Sequence, residues 1–105
     1  MAVRLAQQGF DDYVVLEKAS GVGGTWYHNR YPGCACDIPS HLYSFSFRLK
    51  PDWERPYATQ PEILRYLEEC VEHYDIGPHR RLSTGIGSAR WDEQQASWVL
   101  GPGHR

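Results

Sequence analysis

Glu17 and Asp37 bracket a stretch whose residue types suit ligand binding. Between them stand Gly21, Gly23 and Gly24, then Thr25, Trp26 and Tyr27, and further on Tyr31-Pro32-Gly33. Glycines let backbone come close to a ligand, an indole supplies rigid apolar cover, and a carboxylate accepts hydrogen bonds from hydroxyls. Together these residues read as a nucleotide site. A loop this long without periodicity is unusual in a compact domain unless it binds something. Taken alone, Glu17 is weak evidence, because many strands end in solvated carboxylates.

The elements that position Glu17 precede it. Residues 2–8 (Ala-Val-Arg-Leu-Ala-Gln-Gln) are tolerable in a helix, and Gly9 closes it as a C-terminal glycine does. Asp11-Asp12 reads as a turn, and residues 13–16 (Tyr-Val-Val-Leu) as a parallel strand buried on both faces. Helix, turn and strand form the second half of a βαβ unit. In dinucleotide-binding units an acid at the end of that strand accepts hydrogen bonds from the adenosine ribose, which is where Glu17 stands. The helix has no N-cap, and the glycine fingerprint expected ahead of it is absent, so the chain reads as opening inside a helix.

Downstream, residues 40–47 alternate loosely through Leu42, Tyr43, Phe45 and Phe47 and predict a short strand or extended segment. Thr59-Gln60-Pro61-Glu62 predicts a helix start, with Thr59 as cap, Pro61 in the first turn and Glu62 reaching back as a capping box. That helix places Ile63, Leu64, Leu67, Cys70, Val71 and Tyr74 on one side and Arg65, Glu68, Glu69 and Glu72 toward water; Gly77-Pro78 ends it. Residues 81–86 read as a strand, and residues 89–92 and 97–100 as a hairpin around Glu93-Gln94-Gln95. Residues 101–105 read as a disordered tail. Trp53 and Tyr57 are expected to pack in the core, and His73, His79 and His104 to be solvated.

The chain has 105 residues, 41% hydrophobic and 23% charged, with a net charge of −2, which bounds it to one soluble globular domain. Such a charge gives no electrostatic footprint for nucleic acid or an acidic membrane. No apolar run approaches a membrane span, and residues 1–8 lack the apolar core of a signal peptide. Three cysteines without a secretory signal predict reduced thiols and a cytoplasmic location. Cys34 and Cys36, with His28 and His41 near, offer a conceivable zinc set. A single residue between the cysteines does not suit the usual spacing, however, and no metal is expected.

Gly23-Gly24-Thr25-Trp26, four residues, Tyr31-Pro32-Gly33, three residues and Asp37 resemble a sequence motif of the class B flavin-dependent monooxygenases. Within that class the chain is most similar to the type I Baeyer–Villiger monooxygenases, such as the cyclohexanone and 4-hydroxyacetophenone enzymes. Val15-Leu16-Glu17-Lys18 and the run Ser40-His41-Leu42-Tyr43-Ser44-Phe45-Ser46-Phe47 are also close to family wording, and the resemblance reaches from Ala2 to about Val99. It implies an α/β fold: a partial, doubly wound, Rossmann-like FAD-binding domain over residues 1–100, with an appended β-hairpin. It implies FAD and NADPH as cofactors and O2 as co-substrate. The reaction it implies is insertion of one oxygen atom into a ketone by way of a C4a-peroxyflavin, with N- or S-oxygenation as the alternative.

The same resemblance assigns roles residue by residue. Glu17 holds the adenosine ribose of FAD, with Lys18 beside it. Gly24, Thr25 and Trp26 run along the pyrophosphate and ribityl side, and Tyr43 packs close to the flavin. Ile86 marks where backbone meets adenine. Asp37 lies near the isoalloxazine and is the catalytic candidate, positioning an arginine from a later domain. The family's first strand, glycine loop, NADPH site and Baeyer–Villiger fingerprint have no counterpart in this sequence. The expectation is therefore a fragment, inactive alone or a non-catalytic remnant, whose exposed strand edge favours self-association.

Overall fold

Helix-forming residues dominate the start, and α1 spans Ala2–Gln7 in the computed structural model, which describes residues 1–103. Gly9 follows in the left-handed region, at φ +84°, and Phe10 N donates back to Leu5 O. The chain then enters β1, Val15–Leu16. In sequence order come α2 (Thr25–His28), a 3-10 turn (Ser40–Leu42), α3 (Gln60–His73), a second 3-10 turn (Gly77–His79), β2 (Arg80–Arg81), β3 (Ile86–Asp92) and β4 (Ser97–Pro102). These elements divide into two compact units, one built from Met1–Val22 and from Asp75 onward, the other from Gly23–Tyr74.

In the first unit β1 and β2 pair in parallel, Val15 opposite Arg80 and Leu16 opposite Arg81. A long crossover separates them in sequence, as a βαβ connection requires. The strand expected over residues 13–16 and buried on both faces is shorter and more open: Val14 is 50% exposed and only Val15 and Leu16 pair. β2 is the one strand paired with β1 among the described residues. The strand expected over residues 81–86 splits, because Ser83 adopts φ +53° and its amide turns back to Ala19 O. β3 and β4 form the expected hairpin, with Trp91 opposite Trp98. Its turn is held by Asp92 Oδ1, which accepts from Gln94 N and Gln95 N at 2.9 and 3.1 Å. β4 runs on through Gly101 and Pro102, and Gly103 N donates to Gly85 O, so this part of the expected tail is bonded backbone. His104 and Arg105 lie outside the described residues. His79, expected in solvent, is half-buried: its ring stacks on Tyr13 at 4.1 Å and its Nδ1 bonds Tyr13 O.

The second unit closes around α3. Ile63, 1% exposed, forms a core with Cys36 and Ala58, and Trp26, Tyr43, Trp53 and Leu67 pack against it. The expected polar side of the helix (Arg65, Glu68, Glu69, Glu72) is exposed, and Cys70 is buried as expected. The capping box does not form. Glu62 is buried, and both its carboxylate oxygens face the amide of Glu54 at 3.3 Å. Residues 40–47 are not a strand. Pro39 leads into a 3-10 turn, and the Phe45 amide donates to the Tyr66 hydroxyl, which donates to Arg48 O at 2.6 Å. Aromatic alternation here serves contact with helix tyrosines rather than a ladder: Phe47 meets Tyr74 edge-on and its carbonyl accepts from the Tyr74 hydroxyl. Trp53 packs on the core, whereas Tyr57, expected there, is exposed.

Candidate functional site

The candidate residues fall into two groups, one on each unit. In the first unit, Glu17 follows the carboxyl end of β1, the end at which open parallel sheets bind ligands. Its amide donates to Arg81 O and its carbonyl accepts from Thr84 N, at 3.0 and 2.8 Å, so β2 and the residues after it fix its backbone. One carboxylate oxygen accepts from Ala19 N at 2.8 Å, which turns the side chain along the strand end. The stem of Lys18 lies over Gly85, where a Cβ would stand 3.3 Å from Lys18 Cγ. Ile86 comes next, half-exposed at the start of β3. Glu17, Lys18 and Ile86 are thus gathered at one end of the parallel pair. The chemistry on offer is a carboxylate acceptor for hydroxyl donors beside backbone that an aromatic ring can approach.

In the second unit the glycines have separate reasons. Gly23 sits at φ +121°, and a Cβ there would be 2.6 Å from Leu64 Cδ1, so it lets the loop lie against α3. Gly24, the N-cap of α2, takes φ +55° and ψ −119°, a combination open to glycine. No atom lies within 4 Å of where its Cβ would be, so this backbone faces open space. Thr25 beside it is exposed. Trp26 lies half-buried over the core, its indole N–H donating to the Tyr43 hydroxyl at 3.0 Å with the rings at 80°. Trp26, Tyr43, Phe45 and Tyr66 also line an apolar cleft of about 260 Å³. Gly24, Thr25, Trp26 and Tyr43 are therefore brought together.

Asp37 stands apart from them in its contacts. It directly follows the core residue Cys36 and projects an exposed carboxylate. Its position is set by a short antiparallel bridge, Ala35 to Thr59, in which Cys36 N donates to Ala58 O and Gln60 N to Cys34 O. Cys34 and Cys36 are free, buried thiols, and no set of three metal-binding side chains forms among the described residues. Gln60 carries a role that periodicity did not signal: buried in the first turn of α3, its Nε2 donates to Trp26 O at 2.6 Å. Its sequence position announces only a helix start.

Two phenols and a thiol of this unit are held above their ordinary values. A hydrogen bond with the Cys34 thiol holds the Tyr31 phenol above its ordinary value. Burial raises Tyr66, and burial raises Cys70 despite the Tyr66 hydrogen bond that pulls it back. All three stay protonated at neutral pH, so none is a ready nucleophile. Each group, taken by itself, offers hydrogen-bond acceptors, open backbone or aromatic surface rather than a ready nucleophile.

A family profile described as an NAD(P)-binding Rossmann-like domain matches residues 1–70. The chain is similar to a Baeyer-Villiger monooxygenase of Pseudomonas aeruginosa, 55% identical over 100 residues, which is 95% of this chain and 19% of that protein. A phenazine N-monooxygenase of Lysobacter antibioticus is 44% identical over 89 residues, 81% of this chain and 16% of that one. Among solved structures, cyclohexanone monooxygenase in an open form superposes with a TM-score of 0.88 at 39% identity, over 96% of this chain and 20% of the other. An oxidized steroid monooxygenase bound to NADP superposes at 0.86 with 42% identity, again over 96% and 20%. The chain thus spans about a fifth of the length of the curated relatives it matches. No helix among the described residues is long and apolar enough to cross a membrane.

Proposed function

The chain belongs to the NAD(P)-binding Rossmann-like domain family, and from that premise we propose that it supplies part of the FAD site of a Baeyer–Villiger-type monooxygenase. Such an oxidoreductase uses NADPH and O2 to insert one oxygen atom into a ketone. The observation that carries the reading is Glu17, an acceptor held by backbone bonds at the carboxyl end of a parallel strand. That donor–acceptor sense suits a ribose diol. The open backbone at Gly24 suits close approach of a pyrophosphate or ribityl chain, so the residues present fit FAD.

In this reading Glu17 accepts from the adenosine ribose, Lys18 lies beside it, and backbone at Ile86 meets the adenine. Gly24 and Thr25 follow the pyrophosphate and ribityl side. Trp26 and Tyr43, tied to each other, give rigid apolar cover that keeps water from the ring system. Asp37 presents a carboxylate that orients an arginine by charge-assisted bonding. FAD, when bound, supplies the redox chemistry that activates O2, and the protein orients it. No residue here is assigned to NADPH. The higher identity to the Baeyer-Villiger relative than to the phenazine N-monooxygenase, 55% against 44%, favours ketone over nitrogen oxygenation. Three free thiols suit a reducing cytoplasm, and a β1 edge with no strand partner among the described residues suits self-association.

The test is an FAD titration of the chain, followed by flavin absorbance between about 350 and 500 nm. Bound flavin that Glu17→Ala weakens about tenfold supports the reading, the loss expected for a charge-assisted hydrogen bond. A chain that folds and holds no flavin at any practicable concentration overturns it.

A further inference from the structure

α2 has four residues, too few for its last carbonyls to find amides within the helix. Three side chains and one amide take them instead. Thr25 O accepts from Asn29 N at 3.0 Å and from Asn29 Nδ2 at 2.8 Å, and Tyr27 O accepts from Arg30 Nε at 2.8 Å. Both of these partners are local and exposed. Trp26 O is different: it accepts from Gln60 Nε2 at 2.6 Å, across 34 positions of sequence. Gln60 is 7% exposed, and its own amide is anchored to Cys34 O. A buried primary amide without a partner costs free energy, so this side chain is committed to that carbonyl. At the other end of the same residue, the Trp26 indole N–H is committed to the Tyr43 hydroxyl. Trp26 is therefore gripped at its peptide and at its ring tip by two different segments.

We propose that Gln60 is a positioning residue: it sets the orientation of Trp26, and with it the Gly24–Thr25 turn, toward the cofactor. The cofactor half of this statement rests on the FAD reading above. The grip on Trp26 does not, and the two are measured separately.

The indole N–H cross-peak of Trp26 in a proton–nitrogen correlation spectrum, identified by its loss in Trp26→Phe, reads the ring without any ligand. Gln60→Leu removes the donor and keeps the bulk; it is expected to move that cross-peak and to raise the FAD dissociation constant about tenfold. Gln60→Glu sets a carboxylate against the carbonyl at about pH 8 and a donating acid once the pH falls through its titration. The cross-peak is then expected to return toward its wild-type position on acidification. Cys70→Ala hollows the same helix elsewhere and lowers the melting temperature without moving the peak. An unmoved peak in Gln60→Leu, no acid return in Gln60→Glu, or an equal displacement in Cys70→Ala overturns the proposal. If the wild-type chain holds no FAD, the flavin reading falls, while the indole response still decides whether Gln60 orients Trp26.

Discussion

Gly23–Tyr74 closes over side chains, whereas the unit built from Met1–Val22 and from Asp75 onward is held by backbone ladders. In the former, Ile63, Ala58 and Cys36 are buried, and hydroxyls of Tyr66, Tyr74 and Ser40 tie loop backbone to the helix and to neighbouring loop. In the latter, Val3 is the one buried apolar residue among those described, and Trp91, Trp98, Val99 and Leu100 stand exposed. Each architecture suits its own group of candidate residues. A carboxylate such as Glu17 needs only a fixed backbone register at a strand end. Aromatic cover by Trp26 and Tyr43 needs rings locked by packing and hydrogen bonds on both sides.

Substitutions at the core should sharpen that contrast most. Ile63→Ala is expected to cost about 2–5 kcal/mol, because a fully buried side chain leaves a cavity beside Ala58 and Cys36. Urea unfolding followed by far-UV circular dichroism checks it. Gly23→Ala should follow at about 2–3 kcal/mol. The added methyl meets Leu64 Cδ1 and the backbone must also leave φ +121° or bear the strain. Retained stability with a displaced Trp26 fluorescence would mean that the loop had shifted off α3 instead.

How far the sequence discloses this arrangement depends on how local each contact is. The spacing of Ile63, Leu64 and Cys70 announces the buried side of α3, because an amphipathic helix writes its packing into its own periodicity. Residues 89–92 and 97–100, flanking the polar Glu93-Gln94-Gln95, announce the hairpin because its two strands are neighbours in sequence. Residues 40–47 mislead, since their alternation is answered by Tyr66 and Tyr74, more than twenty positions away, and not by a partner strand. Glu62 misleads for a related reason: a local capping box loses to the distant amide of Glu54. Among the candidate residues, the place of Glu17 at a strand end is legible from the apolar run before it. Gln60 is not, because the carbonyl that explains it lies 34 residues earlier.

The hydroxyl of Tyr66 comes next in size. Tyr66→Phe removes an acceptor for Phe45 N and a donor to Arg48 O, and about 1–2 kcal/mol should be lost. Its neighbour Cys70 adds a pH dependence. Burial holds both groups above their ordinary values of 9.0 and 10.0, so the folded state disfavours their ionised forms. The stability they contribute is complete below those values and is lost as pH rises through the folded ones. Unfolding free energy measured from pH 7 upward should therefore begin to fall near 9, with Cys70→Ala removing the first part of the decline. A decline of equal size in Cys70→Ala would assign it to other groups.

The smallest effect is expected on the exposed hairpin, and it is the one that can break the comparison. Trp91 and Trp98 meet at 5.6 Å with their planes at 65°, but Trp98 is 62% exposed. Such a cross-strand pair is worth less than about 1 kcal/mol, so Trp98→Thr should lower stability by no more than that. Sedimentation over a range of concentrations separates stability from association in the same variant. If the hairpin is only a ladder, Trp98→Thr leaves both nearly unchanged, and Val14→Lys, just ahead of β1, is the substitution expected to suppress the proposed self-association. If Trp98→Thr costs as much as Ile63→Ala, its ring is buried in the folded chain in solution, and the unit has a side-chain core of its own.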